Sequence, residues 1–233
     1  MNAAGQRQLQ NFLRNHWPIG YKGFFIEAGA NDGKCQSNTR GLEKRGWYGL
    51  LVEPREVEFG KCFINRMGSR VERCALVSHD YKKPTIEGYF GGDGTDINGD
   101  HESLISQVKG HGQAWPRTEK FKETSLIDVP ALTLDAVLDT MKEDPADPWG
   151  REISHIDFFS LDVEGYELEV LKGLDLNKNG PTLICVEIHP DSGLFPHIMN
   201  WLIVRHDYEM VLKLGGDIDF LFKRKRKPWE LRR

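Results

Sequence analysis

These 233 residues contain no obvious anchor, no cysteine cluster for a metal and no cradle for a pyrophosphate, and each absence narrows the field. The apolar stretch GFFIEAGA is broken by Glu27, and no uninterrupted run reaches membrane-spanning length. No basic segment leads into an apolar one near the N-terminus, so the expectation is a soluble, cytoplasmic protein. The four cysteines, Cys35, Cys62, Cys74 and Cys185, show no C-x-x-C spacing and no paired histidines. Reduced thiols are therefore expected in place of disulfides or zinc. A formal net charge of −4 gives no general pull toward nucleic acid or membrane. The G-x-G-x-x-G of dinucleotide sites and the Lys-Ser/Thr of a P-loop are both missing. No internal repeat is visible.

What is present is an alternation of short apolar runs with helical spacing. Leu9, Phe12, Leu13 and Trp17 predict an amphipathic helix over residues 5–17, stopped by Pro18. GFFIEAGA, WYGLLVEP and RVERCALVS read as strands with helices between them, the first of these helices capped at Ser37 or Asn38. After residue 129 the alternation returns in HIDFFSLDVEG, YELEVLKGL, TLICVEIH and HIMNWLIVRHD. The closing segment, YEMVLKL and DIDFLFKRK joined by two glycines, reads as a hairpin. Such a pattern predicts an α/β fold, a mostly parallel sheet with helices on both faces and its last strand antiparallel. A single domain over residues 1–233 is expected, with an N-terminal helix in residues 1–20. Residues 79–129, rich in Gly, Asp and His, read as an irregular insertion, a candidate lid over a substrate. Residues 224–233 read as a basic tail.

In open parallel sheets ligands bind outside the carboxyl ends of the strands. Here the first strand ends in EAGANDG, the second in Glu53, a later one in LDVEG and the next in VEIH. Gly29 and Gly33 let the backbone approach a ligand closely, and Glu53 stands where a carboxylate accepts from the two hydroxyls of a ribose. A nucleoside gripped without a phosphate cradle points to S-adenosylmethionine. FIEAGANDG with its following SNT and GWYGLLVEP, IDFFSLDVEGYELEVLKG and LICVEIH together resemble the FkbM-type family of S-adenosylmethionine-dependent methyltransferases. The resemblance implies a Rossmann-like class I methyltransferase fold of seven strands, the last antiparallel. It also implies methyl transfer to oxygen on sugars, glycans, polyketides or other small molecules. By position it would set Glu27, Gly29, Ala30, Asn31, Asp32 and Gly33 around the methionine part of the cofactor. Glu53 would take the ribose, and Cys74 and Ala75 would lie near the adenine. Asn38 belongs to the matching SNT block, with a helix cap as its competing role.

Methyl transfer from a sulfonium is an in-line displacement, so the protein must place the nucleophile opposite the sulfur and help remove its proton. Residues two apart on a strand share a face, which pairs Asp162 with Glu164 and Glu187 with His189. With neighbouring strands about 4.8 Å apart, all four would converge beside the methyl group. Two mechanisms fit. Either Asp162 or His189 is the general base, or Asp162, Glu164, Glu187 and His189 hold a divalent cation such as Mg²⁺. Glu164 as a helix cap and Glu187 paired to a buried base are the structural alternatives. Asp93, Asp96, Asp100, His101, His111, Trp115 and Tyr89 are candidates to meet the acceptor. The basic tail keeps a nucleic-acid methyltransferase open as the second enzyme reading, against the net acidity of the chain. An inactive, methyltransferase-like interaction module is the non-enzyme alternative. Oligomeric state is not fixed by these residues.

Overall fold

β1 (Phe24–Ala28) and β8 (Leu183–Glu187) are buried at every position, as strands covered on both faces must be. The structure is a computed structural model that describes residues 1–90, 108–110, 126–147, 153–216 and 218–225. The other elements, in chain order, begin with α1 (Ala3–His16), α2 (Arg40–Glu43), β2 (Tyr48–Val52) and α3 (Glu56–Asn65). β3 (Arg70–Glu72), β4 (Ala75–Leu76), β5 (Thr85–Tyr89), β6 (Leu126–Leu132), α4 (Leu134–Glu143) and β7 (Phe158–Leu161) follow. After them come α5 (Glu167–Lys172), α6 (Leu176–Asn179), α7 (Phe195–Met199), β9 (Tyr208–Lys213) and β10 (Asp219–Arg224). α7 runs on as a π-helical stretch over Asn200–Arg205.

Seven strands form one sheet in the order β3-β2-β1-β7-β8-β10-β9. β1 pairs parallel with β2 on one side and β7 on the other, and β10 runs antiparallel to both β8 and β9. The expected arrangement is therefore present, with the antiparallel strand inserted one place in from the edge. Alternation along each strand sends neighbouring side chains to opposite faces. Phe25, Leu51, Phe158, Cys185 and Leu221 pack under Leu9 and Leu13 of α1, with Leu42 of α2 and Cys62 of α3. Ile26, Leu50, Phe159, Ile184 and Phe222 pack on the other side against Leu138 of α4, Val170 of α5 and Ile198 of α7. α1 begins two residues before its expected start because the Asn2 side chain accepts from Gly5 N at 2.8 Å. Among the described residues no helix is long and apolar enough to cross a membrane.

Two expectations are corrected here. The strand expected across RVERCALVS breaks after Glu72: β3 stays beside β2, while β4 leaves to pair with β6. The stretch expected to be irregular is strand at both ends, since β5 and β6 pair antiparallel in a second sheet of order β4-β6-β5. β5 reads TIEGY, alternating buried Ile86 and Gly88 with exposed Thr85 and Glu87. A glycine on the buried face erases the apolar signal that alternation would otherwise give. Residues 91–107, 111–125 and 226–233 lie outside the described residues. So do Asp93, Asp96, Asp100, His101, His111 and Trp115, and all but two residues of the basic tail.

Candidate active site

The chain crosses from β1 to β2 on one side of the sheet and later enters β7 on the other. The crevice between β1 and β7 is thus the switch in strand order, where an open α/β sheet binds its ligands. At its mouth Gly29 has φ +79° and lies so close to β7 that an added Cβ would sit 1.7 Å from Asp162 O. Gly29 N and Ala30 N both donate to Val52 O, at 3.0 and 3.1 Å, tying the turn to the end of β2. Asn31 is left-handed at φ +47° and its N–H donates to Glu53 Oε2 at 2.8 Å. Glu53 Oε1 accepts from Arg55 N at 3.0 Å. Burial pushes the Glu53 carboxyl up to about 7, against the pull of those two N–H groups and the Arg55 charge. Each Glu53 oxygen keeps a second lone pair for a ligand hydroxyl. Asp32 closes the turn by accepting from Lys34 N and Cys35 N at 2.8 and 2.6 Å.

Glu27 does something other than expected. It points to the α1 side of the sheet, where its carboxylate accepts from Ser37 Oγ, Asn38 N and Thr39 Oγ1 at 2.8, 2.7 and 2.6 Å. Arg66, fully buried, donates to it at 3.2 Å and also binds Glu43, Gly33 O, Ser37 and Thr39. Three of these bonds fall on Oε2 and one on Oε1, so Glu27 supports the turn through its neighbours. The SNT block serves this acid, and Ser37 also takes the expected cap, its Oγ accepting from Arg40 N at 3.1 Å, whereas Thr39, the residue before α2, makes no side-chain capping bond. Asn38 Nδ2 donates to Ser160 Oγ at 2.9 Å, and its Oδ1 is buried without a hydrogen bond. Cys74 and Ala75 are buried in the core beside β6, and burial pushes the Cys74 thiol up to about 12.

On the α1 side the ends of β7, β8 and β10 carry a row of acids. Glu187 and Asp219 are cross-strand partners, and Asp162 follows the last paired residue of β7. Burial and the Glu187 charge hold the Asp162 carboxyl well above the usual range. Burial pushes Asp219 up to about 6. Glu187 Oε1 lies 3.5 Å from the α-ammonium of Met1, and its Oε2 lies 3.7 Å from His189 Nε2. Glu164 is left-handed at φ +57°, with Gly165 at +99° beside it, and this turn brings the Glu164 carboxylate toward the end of β8. Ligand atoms of Glu164, Glu187 and His189 all fall within 4.8 Å of one another. Glu164 does not cap α5, which has no side-chain cap; Glu167 Oε1 instead braces the preceding loop, accepting from Val163 N and Gly165 N at 3.2 and 2.9 Å.

The predicted residues thus gather in two places: Gly29, Ala30, Asn31, Asp32, Gly33 and Glu53 on the β1–β2 side, and Asp162, Glu164, Glu187 and His189 around β7 and β8. Sequence reasoning missed Arg66, Ser160, Glu167 and Asp219. None of them left a usable signal: Asp219 meets Glu187 of β8 and not its own hairpin strand β9. The model of the methyltransferase FkbM domain matches residues 27–210, from the acid of β1 into β9. The chain belongs to the methyltransferase FkbM family. No curated protein sequence matches it. Among solved structures, the human methyltransferase 10 domain containing protein is similar, with a TM-score of 0.49 at 12% identity over 97% of this chain and 84% of that one. The N-terminal domain of human METTL16 in complex with SAH gives 0.45 at 12%, covering 93% of this chain and 66% of that one. A TehB-like SAM-dependent methyltransferase from Corynebacterium glutamicum gives 0.44 at 10%, covering 96% and 89%. The family assignment rests on the domain match and not on these likenesses.

Proposed function

We propose that this chain binds S-adenosylmethionine across the ends of β1, β2 and β7. Its methyl group then passes to a hydroxyl oxygen of a sugar, a glycan or another small acceptor. The observation that carries the reading is Glu53: a buried carboxylate at the end of β2, held by the Asn31 and Arg55 N–H groups, with lone pairs left for two ribose hydroxyls. The left-handed backbone at Gly29, Asn31 and Gly33 folds the neighbouring turn tightly against β7 and α3, beside which the methionine part would lie. In the reaction the acceptor oxygen bonds to the methyl carbon as the carbon–sulfur bond breaks, and the electron pair stays on sulfur as a thioether. The acceptor's proton goes to the group formed by Asp162, Glu187 and His189. The nucleic-acid alternative rested on the basic tail, whose residues 226–233 lie outside the described residues.

Calorimetry with S-adenosylmethionine and S-adenosylhomocysteine tests the donor. Wild type should bind both, and Glu53→Ala, checked for folding by circular dichroism, should lose at least about tenfold, as expected when a charge-assisted pair is removed. No binding by wild type would sink the enzyme reading in favour of an interaction module. A labelled-methyl screen of sugars, nucleotide sugars, glycans and RNA then identifies the acceptor class.

A further inference from the structure

We propose that Glu164, Glu187 and His189 form a divalent-cation site, best suited to Mn²⁺, that holds the acceptor hydroxyl. The role in catalysis rests on the methyl-transfer reading above; the binding of the cation does not. One ligand atom from each of the three residues falls within a 4.8 Å span, close enough for one ion to touch all three. An independent feature points the same way. Asp219, cross-strand to Glu187 and only 2% exposed, has a buried Oδ2 that accepts no hydrogen bond. That oxygen and Glu187 Oε1 both face one positive group, the Met1 α-ammonium, at 3.9 and 3.5 Å. Buried carboxylate oxygens of two adjacent strands therefore stand together at this end of the sheet.

The donor set selects the ion. Two carboxylates suit hard ions, while an imidazole favours the first-row metals over Mg²⁺, and Mn²⁺ accepts both. With only three protein ligands, Mn²⁺ keeps open positions for a substrate oxygen. Bound there, a hydroxyl would lose its proton more readily, the proton leaving to water in the cleft. The resulting alkoxide takes the methyl group as the sulfonium becomes a thioether, so charge and atoms balance.

The test is titration of the metal-stripped full chain with Mn²⁺, Mg²⁺ and Zn²⁺ separately, following Mn²⁺ by electron paramagnetic resonance and all three by calorimetry. Mn²⁺ should bind at one equivalent and more tightly than Mg²⁺. His189→Ala and Glu164→Gln should each weaken Mn²⁺ by about tenfold or more, at unchanged circular dichroism and unchanged S-adenosylhomocysteine affinity. Asp219→Asn should weaken it less, since Asp219 acts by charge and not as a ligand. Mn²⁺ affinity equal in wild type and His189→Ala, or no saturable binding, overturns the site. Methyl transfer that survives EDTA overturns the metal's role while the methyltransferase reading stands. Specific Mn²⁺ binding in a chain that binds no cofactor leaves the site in place and removes the reading it was linked to.

Discussion

A methyl group on Gly29 would sit 1.7 Å from the carbonyl oxygen of Asp162 and would have to be carried at φ +79°. The sequence suggested that Gly29 is small so that a ligand can approach. The structure adds a cause that precedes any ligand: the turn after β1 leans on the backbone that leaves β7. Gly46 separates the two effects, because its φ is +84° but its nearest would-be neighbour, Lys22 Cε, is 3.5 Å away. Gly46→Ala should cost only the left-handed conformation, about 1–2 kcal/mol. Gly29→Ala should cost that plus about 1–3 kcal/mol of overpacking, and should also weaken cofactor binding. Urea unfolding of the two variants measures the difference, and equal losses would mean that the β7 contact is not rigid. Arg66 shows the limit of residue-scale reading. In sequence it is one arginine near the end of a helix, yet it is buried and joined to Glu27, Glu43 and Gly33. Nothing local marks it, because all its partners lie at least 23 residues back in the chain.

At the level of elements, the loop between β7 and α5 depends on Glu167, which accepts from two of its N–H groups through one oxygen. Burial pushes this carboxyl up to about 7 from an ordinary 4.5. The folded state therefore holds a proton that the unfolded chain releases. Its contribution is fully present below about pH 4.5 and is lost as pH rises toward 7. Glu167→Gln keeps an accepting oxygen for both N–H groups and removes the ionisation. The variant should match wild type in melting temperature at pH 4.5 and exceed it at pH 8. A difference that does not change with pH would show that Glu167 is not titrating in the folded state. The elements themselves were legible to unequal degrees. β1, β7 and β8 showed as mostly apolar runs because both their faces are covered. The parity of LDVEG and VEIH put Asp162 and Glu187 on one face, as found. β5 was lost because Gly88 occupies a buried position, whereas the break between β3 and β4 was marked by two charges in a row, Glu72 and Arg73. The cap expected of Glu164 is not made because spacing alone does not reveal a residue with φ +57°.

For the whole molecule, the sheet brings the ends of β1, β2 and β7 to one crevice, so a ligand that touches all three ties together segments more than 130 residues apart. The cofactor half of that crevice was legible because its groups lie within 25 residues of one another, from Gly29 to Glu53. The acid row was only half legible, because Asp219 joins it through an antiparallel pairing that no local pattern specifies. Glu53 gives the assembled site a test of its own. Ribose hydroxyls donate to its carboxylate, so binding favours the ionised form, whereas burial holds the empty site's carboxyl at about 7. Arg55 and the nearby Glu58 act on it in opposite directions, and burial outweighs both. Below pH 7, binding must therefore release a proton. The dissociation constant for S-adenosylhomocysteine should be flat above pH 7 and rise by up to about tenfold per unit below it. S-Adenosylhomocysteine is the suitable ligand because it lacks the sulfonium charge and so responds less to the acids of β7, β8 and β10. Glu53→Ala should bind weakly with that pH dependence removed. An affinity that stays constant for wild type from pH 5.5 to 8 would take Glu53 out of the cofactor site.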